Sequence, residues 1–355
     1  MWHRLGSSLD DPAVIKALPR YVDIVKRKKM AKFIIDKAIL ADFDVNFAGD
    51  KLWALHDRLL QRYPSFEADF DRGIEHKEAS KSFLDLKAEL GRGIMSNCHF
   101  CERGCRVDRL GGLKGYCGCG GEFAVSSCFP HMGEEPELVP SGTVFTSGCS
   151  IRCIHCQNYD ISQWHDKGTS ITPDRMKVLV NRLVDEGCKN INMVGGEPTP
   201  NAWLWIETFR NIDRNVATVW NSNSYYSKET ALLLAGFIDV YLLDFKYGNN
   251  KCALELSDAP GYWEASTRNH IDAKKYGEII VRVLVLPGHN ECCTKPILNW
   301  ISKNLGEWTR VNLMFQYRPE WRAKERPDMC RRLTQEEIDE ALRLARDAGL
   351  KNLVH

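Results

Sequence analysis

TVFTSGCSIRCIHCQNYDIS, residues 143–162, decides how the rest of the chain is read. A short apolar run ends at Gly148, and three cysteines follow at once: Cys149, Cys153 and Cys156, spaced C-x3-C-x2-C. With 14 cysteines in 355 residues, random placement would give this spacing about 0.02 times per chain, so chance is a poor account. Three thiolates on one tight loop can hold three irons of a cubane [4Fe–4S] cluster. The fourth iron then lacks a protein ligand and is open to a substrate or cofactor. A zinc ion at the same loop would need a fourth ligand.

Downstream of the loop the chain alternates between two grammars. Apolar runs of strand length recur at 191–195 (INMVG), 216–220 (VATVW), 238–243 (IDVYLL), 278–286 (EIIVRVLVL) and 311–315 (VNLMF). Helical periodicity fills 173–187, 201–212, 228–237, 295–304 and 335–349, the last ending in a glycine. With the run at 143–148 this makes about six strand–helix units, which predicts an α/β fold with a parallel sheet, curled into a partial (βα)6 barrel. In such folds the site lies at the carboxyl ends of the strands. Polar or flexible residues gather at each of those points: the cysteine loop, Gly195-Gly196-Glu197, Asn221-Ser222-Asn223-Ser224, Asp244-Phe245-Lys246, Pro287-Gly288-His289-Asn290 and Gln316-Tyr317. One binding mouth built from six loops is expected.

The chain is expected to divide into three segments. Residues 1–95 carry three- and four-residue apolar spacing, as in YVDIVKRKKMAKFIIDKAIL, and predict a helical extension packed on the main domain, with a docking surface for a partner as the sharper alternative. Residues 96–142 are rich in cysteine and glycine, with little regular structure expected. Residues 143–355 form the barrel. Lys and Arg number 48 against 47 for Asp and Glu, which disfavours a nucleic-acid partner. No run of about 18 apolar residues is present, so no membrane span is expected, and the N-terminus lacks the apolar core of a signal peptide. A cytoplasmic location follows, where clustered cysteines point to metal rather than disulfides.

Cys98, Cys101, Cys105, Cys117, Cys119 and Cys128 crowd the middle segment. Cys98 and Cys101 have knuckle spacing, and Cys105 and Cys117 would complete a four-thiolate site, with Cys119 able to replace either. A glycine-rich stretch of about 45 residues buries little apolar surface, so a structural zinc would supply folding energy. An auxiliary iron–sulfur cluster is the alternative.

The loop at 149–156, set after the first barrel strand, resembles the radical S-adenosylmethionine (SAM) superfamily. The resemblance implies that the amino and carboxylate groups of SAM bind the open iron. It further implies that reductive cleavage yields a 5′-deoxyadenosyl radical, which abstracts hydrogen from a substrate, and that activity is anaerobic. Gly195-Gly196-Glu197 resembles the superfamily's GGE motif, which implies contact of its backbone and of Glu197 with the methionine amino group. His155 occupies the place of a residue near adenine. DFK at 244–246 is similar to a D-L-K segment of glycyl-radical-enzyme activases, which implies roles for Asp244 and Lys246 near SAM. The companion segment there begins with aspartate, where this chain has Asn221; Ser222 and Asn223 remain SAM contacts. Arg282 would pair with the SAM carboxylate, and His289 would contact ribose or substrate; a structural salt bridge and an ordinary loop histidine are the competing readings.

GCSIRCIHCQNYDIS, NINMVGGEPTP, IDVYLLDFKY, VNLMFQY and the upstream CHFCERGCRVDR…GYC…GEEPEL together are similar to the pyruvate formate-lyase activating enzyme-like group, over roughly 96–350. In true activases the cluster motif lies close to the N-terminus, whereas about 148 residues precede it here. The group implies an oxidoreductase with flavodoxin or ferredoxin as electron donor and a protein substrate. A small metabolite or RNA nucleoside is the alternative substrate. A non-enzymatic iron–sulfur electron carrier or zinc scaffold is the reading of another class, and the GGE segment argues against it.

Overall fold

The computed structural model describes residues 8–46, 48–74 and 76–354. Among the described residues nine strands form one sheet: β1 (Phe123–His131), β2 (Ser141–Thr146), β3 (Thr169–Ile171), β4 (Asn190–Gly195), β5 (Ala217–Ser222), β6 (Val240–Asp244), β7 (Glu278–Leu284), β8 (Arg310–Met314) and β9 (Leu353–Val354). Their order is β3-β1-β2-β4-β5-β6-β7-β8-β9. From β2 through β9 every pairing is parallel, and β1 runs antiparallel to both β2 and β3. The parallel strands follow one another in chain order with no reversal. A doubly wound sheet would reverse its order at a switch point; monotonic order is the winding of a barrel. The fold is the partial (βα)6 barrel that the sequence predicts.

Local chemistry sets the connecting helices. Pro173 opens helix Pro173–Asp185, the Thr172 side chain caps it at the Arg175 amide, and Gly187 follows at φ +85°. Thr334 and Glu337 form a reciprocal cap on helix Gln335–Asp347. Ser227 caps helix Lys228–Leu234.

Three features depart from the sequence reading. The cysteine-rich stretch holds a nine-residue strand, β1, in place of irregular chain. Its sequence, FAVSSCFPH, lacks clean alternation and contains Pro130, which reads as a break; antiparallel pairing with β2 from Ser127 to His131 overrides that preference. Two helices, Asn250–Ser257 and Tyr262–Tyr276, fill the long β6–β7 connection, where polar residues obscure the period. The two-residue strand β9 closes the far edge.

The N-terminal helices (Pro12–Ala17, Pro19–Val25, Lys32–Ala38, Gly49–Asp71 and Phe83–Ser96) share one apolar core with the barrel, through Leu18, Tyr21, Phe33, Leu60, Phe83 and Leu86. Buried polar contacts fix them as well. Glu278 at the start of β7 accepts the backbone amides of Arg20 and Tyr21 at 2.6 and 2.8 Å. The Lys87 ammonium, fully buried, meets Asp36 at 2.7 Å. No helix among the described residues is long and apolar enough to cross a membrane.

Candidate active site

The cysteine loop leaves β2 at Thr146 and is wedged between two backbones. Gly195 lies abreast of Thr146 in the neighbouring strand. It sits at φ +148°, and a Cβ there would fall on the Thr146 backbone. A Cβ at Gly196 would fall on the Gly148 carbonyl. The two glycines are therefore required by the approach of β4 to the loop. On the other side the cysteine-rich segment clamps the same loop. Arg152 donates to the carbonyls of Cys149 (2.8 Å) and Tyr116 (2.5 Å), Arg103 donates to the Ser150 carbonyl (3.1 Å), and Cys119 Sγ lies 3.5 Å from the Ser147 carbonyl.

Cys149, Cys153 and Cys156 face one cavity of about 550 Å³ at the carboxyl ends of the strands. His155, Gly195, Gly196, Glu197, Ser222, Asn223, Asp244, Lys246 and Arg282 line it too. Each sulfur has a donor beside it. Asn223 Nδ2 lies 3.6 Å from Cys149 Sγ, Ser257 Oγ 2.9 Å from Cys153 Sγ, and Ser162 Oγ 3.3 Å from Cys156 Sγ. Burial, then the neighbouring Glu197 carboxylate and the other two thiols, push the Cys149 thiol well up. Ligation by iron must therefore displace protons. Three thiols on one loop, ringed by hydrogen-bond donors, are a donor set that fits the three protein-bound irons of an open cubane cluster.

Glu197 is buried at 1% exposure. Its Oε1 accepts from Ser222 Oγ (2.7 Å), the Thr199 amide (3.2 Å) and the Thr199 hydroxyl; its Oε2 accepts the Asn223 amide at 2.8 Å. Burial raises its pKa while these donors lower it, and the balance is upward. A fixed, buried carboxylate to which no cationic side chain among the described residues is bonded suits an incoming ammonium. His155 is held neutral: burial first, then Lys246 and His289, push its pKa down to about 3. Its Nδ1 is buried with no partner among the described residues. Lys246 pairs with Asp244 at 2.7 Å. Burial works against the Lys246 charge, but Asp244 and the Cys153 sulfur outweigh it, and its pKa rises.

Two expected residues have protein partners. Arg282 faces the cavity, but Glu135 occupies its guanidinium at two points, 2.7 Å each, and Glu134 joins them. These contacts match the structural salt bridge given as the competing reading, while Arg282 still lines the cavity, with Nη1 3.3 Å from Asn221 Oδ1. His289 does not line the cavity. Its Nδ1 lies 2.7 Å from the Pro287 carbonyl, and its own carbonyl accepts from Cys293 and Thr294. The reading missed Glu134, Glu135, Ser162 and Ser257. GEEPEL carried a signal, two acids in a glycine-rich stretch facing a strand arginine; Ser257 had none, because its helix was not legible.

In the upstream segment, Cys117, Cys98 and Cys105 are near enough to Cys101 to act on it electrostatically, but among the described residues no three of these sulfurs lie within 4.8 Å of one another. Burial first, and then those three thiols, raise its pKa. Arg109, 1% exposed, lies beside Cys119, Cys117 and Cys98 and carries the compensating charge. Cys128 stands apart on β1, near Arg182 and Cys188.

The radical SAM superfamily's sequence profile matches residues 143–301. An uncharacterized protein of Methanocaldococcus jannaschii is 43% identical over 339 residues, 94% of this chain and 98% of the relative. The pyruvate formate-lyase-activating enzyme of Staphylococcus aureus is 23% identical over 161 residues, 42% of this chain and 62% of that enzyme. Among solved structures, SuiB of Streptococcus suis bound to its precursor peptide SuiA aligns with a TM-score of 0.45 at 13% identity, covering 58% of this chain and 46% of that one. With the cysteine loop, the parallel barrel and the strand-end cavity in place, the chain belongs to the radical SAM superfamily.

Proposed function

We propose that this chain is a radical SAM oxidoreductase that carries its cluster on Cys149, Cys153 and Cys156 and acts on a segment of a protein, in the manner of a glycyl-radical-enzyme activase. The observation that carries the proposal is the convergence of three thiols, a buried Glu197 and the Ser222–Asn223 turn on one strand-end cavity. A [4Fe–4S] cluster with SAM supplies one-electron cleavage of the sulfonium and hydrogen abstraction from substrate. Asn223, Ser257 and Ser162 donate to the thiolates. Glu197 receives the methionine ammonium. Neutral His155 offers a flat face and a free ring nitrogen for adenine. Asp244 and Lys246 stay paired on the cavity wall. Flavodoxin or ferredoxin is the electron donor.

A protein substrate is favoured by the shape of the mouth. Beside the cavity runs an open groove of about 610 Å³ along β1, which shares Phe145, Gln157 and Asn158 with the cavity and is lined further by Ser127, Phe129 and His165. An extended segment has room to lie there. Cys98, Cys101, Cys105 and Cys117 are proposed to hold a metal centre, a structural zinc or an auxiliary iron–sulfur cluster, that stiffens the clamp on the cluster loop. The test is anaerobic release of 5′-deoxyadenosine in native extract split by size. Acceleration by the protein fraction, abolished by Cys153→Ala, supports the reading. Acceleration by the small-molecule fraction alone moves the substrate class to a metabolite.

A further inference from the structure

A third group of cysteines lies outside the cavity. Cys252 is in the first turn of helix Asn250–Ser257, and Cys292 and Cys293 lie in the single π-turn Asn290–Thr294 that leads into helix Lys295–Leu305. Forty residues separate Cys252 from Cys292, yet their sulfurs stand 3.9 Å apart. The Cys292 and Cys293 sulfurs are 4.0 Å apart, and all three lie within 4.8 Å of one another. We propose that Cys252, Cys292 and Cys293 form a metal site for a single thiophilic divalent ion, zinc, at the rim of the barrel.

The spacing selects this chemistry. Thiolates about 2.3 Å from one zinc stand roughly 3.8–4.0 Å from each other, from tetrahedral to trigonal geometry. Thiolates that each bind a separate iron of a cubane must spread wider. All three cysteines are free thiols, and a disulfide would need a sulfur pair near about 2.05 Å. Soft sulfur donors favour zinc over the hard ions magnesium and calcium.

The surroundings are built around the sulfurs. Asn249 Nδ2 donates to the Cys252 sulfur at 3.3 Å and to the Cys292 carbonyl at 2.8 Å, and lies 3.9 Å from the Cys293 sulfur. Its Oδ1 accepts the Cys252 amide at 2.8 Å, which fixes the side chain in that orientation. An N–H aimed at thiolate ligands is the outer-shell partner a metal site requires. Gly248 allows the two loops to meet: a Cβ there would lie 2.7 and 2.8 Å from the Cys293 and Cys292 carbonyls. Turns of π type occur often at functional sites. Cys293 is buried, Cys252 half-buried and Cys292 exposed, so the fourth coordination position opens to solvent and takes water or an external ligand.

Such an ion would pin together the loops that follow β6 and β7. The first carries Asp244 and Lys246, and helix Asn250–Ser257 ends at the hydroxyl beside Cys153. The proposed role is positional, holding one side of the cavity.

The test uses the full chain with its iron–sulfur cluster loaded anaerobically, exposed to Zn²⁺, freed of unbound ion and analysed for zinc and iron. Wild type is compared with Cys292→Ser, whose side chain is exposed, and with Cys252→Ser. The expected result is about one zinc fewer per chain in each variant, with iron unchanged; Co²⁺ in place of Zn²⁺ should give a thiolate-to-cobalt charge-transfer band in wild type that both variants lack. Equal zinc in all three proteins overturns the proposal. A Cys252–Cys292 or Cys292–Cys293 disulfide in anaerobically isolated protein overturns it too. So does loss of iron with the zinc, which would mean that the variants disturb the cluster rather than a separate site.

Discussion

Arg282 of β7 and Glu135, 147 positions earlier, form a two-point ion pair across the barrel mouth, Nε to Oε1 and Nη2 to Oε2 at 2.7 Å each. Glu135 is also held by Asn312 Nδ2 at 2.8 Å. Burial works against the Glu135 charge, but Arg282 and Asn312 more than offset it, and its pKa falls. The stretch before β2 is thereby tied to β7 and β8, on the far side of the cavity. Removing one partner of such a pair strands a buried charge at a cost of about 3–5 kcal/mol. Arg282→Met should lower the unfolding free energy by that order in denaturant titration. Glu134→Gln should cost less, because Arg282 keeps both contacts to Glu135.

Glu197→Gln keeps the shape of the side chain and removes its charge. A hydrogen bond to a charged group contributes about 1.5–3 kcal/mol, so SAM affinity should fall by roughly 10- to 150-fold. Isothermal titration of the cluster-loaded protein measures this, with iron content as the control. Unchanged affinity with intact iron would remove Glu197 from the SAM site.

Ser257 donates to Cys153 Sγ and is itself in contact with the Tyr247 hydroxyl. Hydrogen bonds to cluster sulfurs favour the reduced, more negative state. Ser257→Ala should shift the cluster potential negative by a few tens of millivolts, against about 59 mV for a tenfold change in a one-electron equilibrium. Potentiometric titration followed by electron paramagnetic resonance reads the shift directly, and a merely structural serine would leave it in place.

Glu278 fixes the N-terminal helices to β7. Burial pushes its pKa from 4.5 up to about 7, against the amides of Tyr21 and Arg20 that favour the charged form. Because the folded value is the higher one, the folded state binds the proton more tightly. Its contribution to stability is full below about pH 4.5 and is lost as pH rises through about 7. Wild type should therefore lose stability relative to Glu278→Gln across that window, in denaturant midpoints taken at successive pH values. A constant difference would show that Glu278 does not titrate there.

The barrel was legible because parallel strands buried on both faces are plain apolar runs. VATVW, IDVYLL and EIIVRVLVL all fall on observed strands, with ends displaced by one or two residues. Most of the expected cavity lining was legible for a related reason: strand ends in a singly wound sheet converge by topology alone. What escaped depends on tertiary pairing. The strand β1 carries Pro130 and forms only by pairing with β2 and β3. Glu135 meets Arg282 only once the barrel has closed. Cys252 and Cys292 are unremarkable in sequence, since only the meeting of the β6 and β7 loops brings them together.

The central claim is that Cys149, Cys153 and Cys156 carry a SAM-cleaving cluster, and one measurement tests it most directly. Protein reconstituted with iron and sulfide under anaerobic conditions is given SAM and dithionite, and 5′-deoxyadenosine is quantified by chromatography. The account predicts nucleoside formation that requires both additions and disappears in Cys149→Ala, Cys153→Ala and Cys156→Ala. A fully iron-loaded protein that forms no 5′-deoxyadenosine and binds no SAM would contradict it.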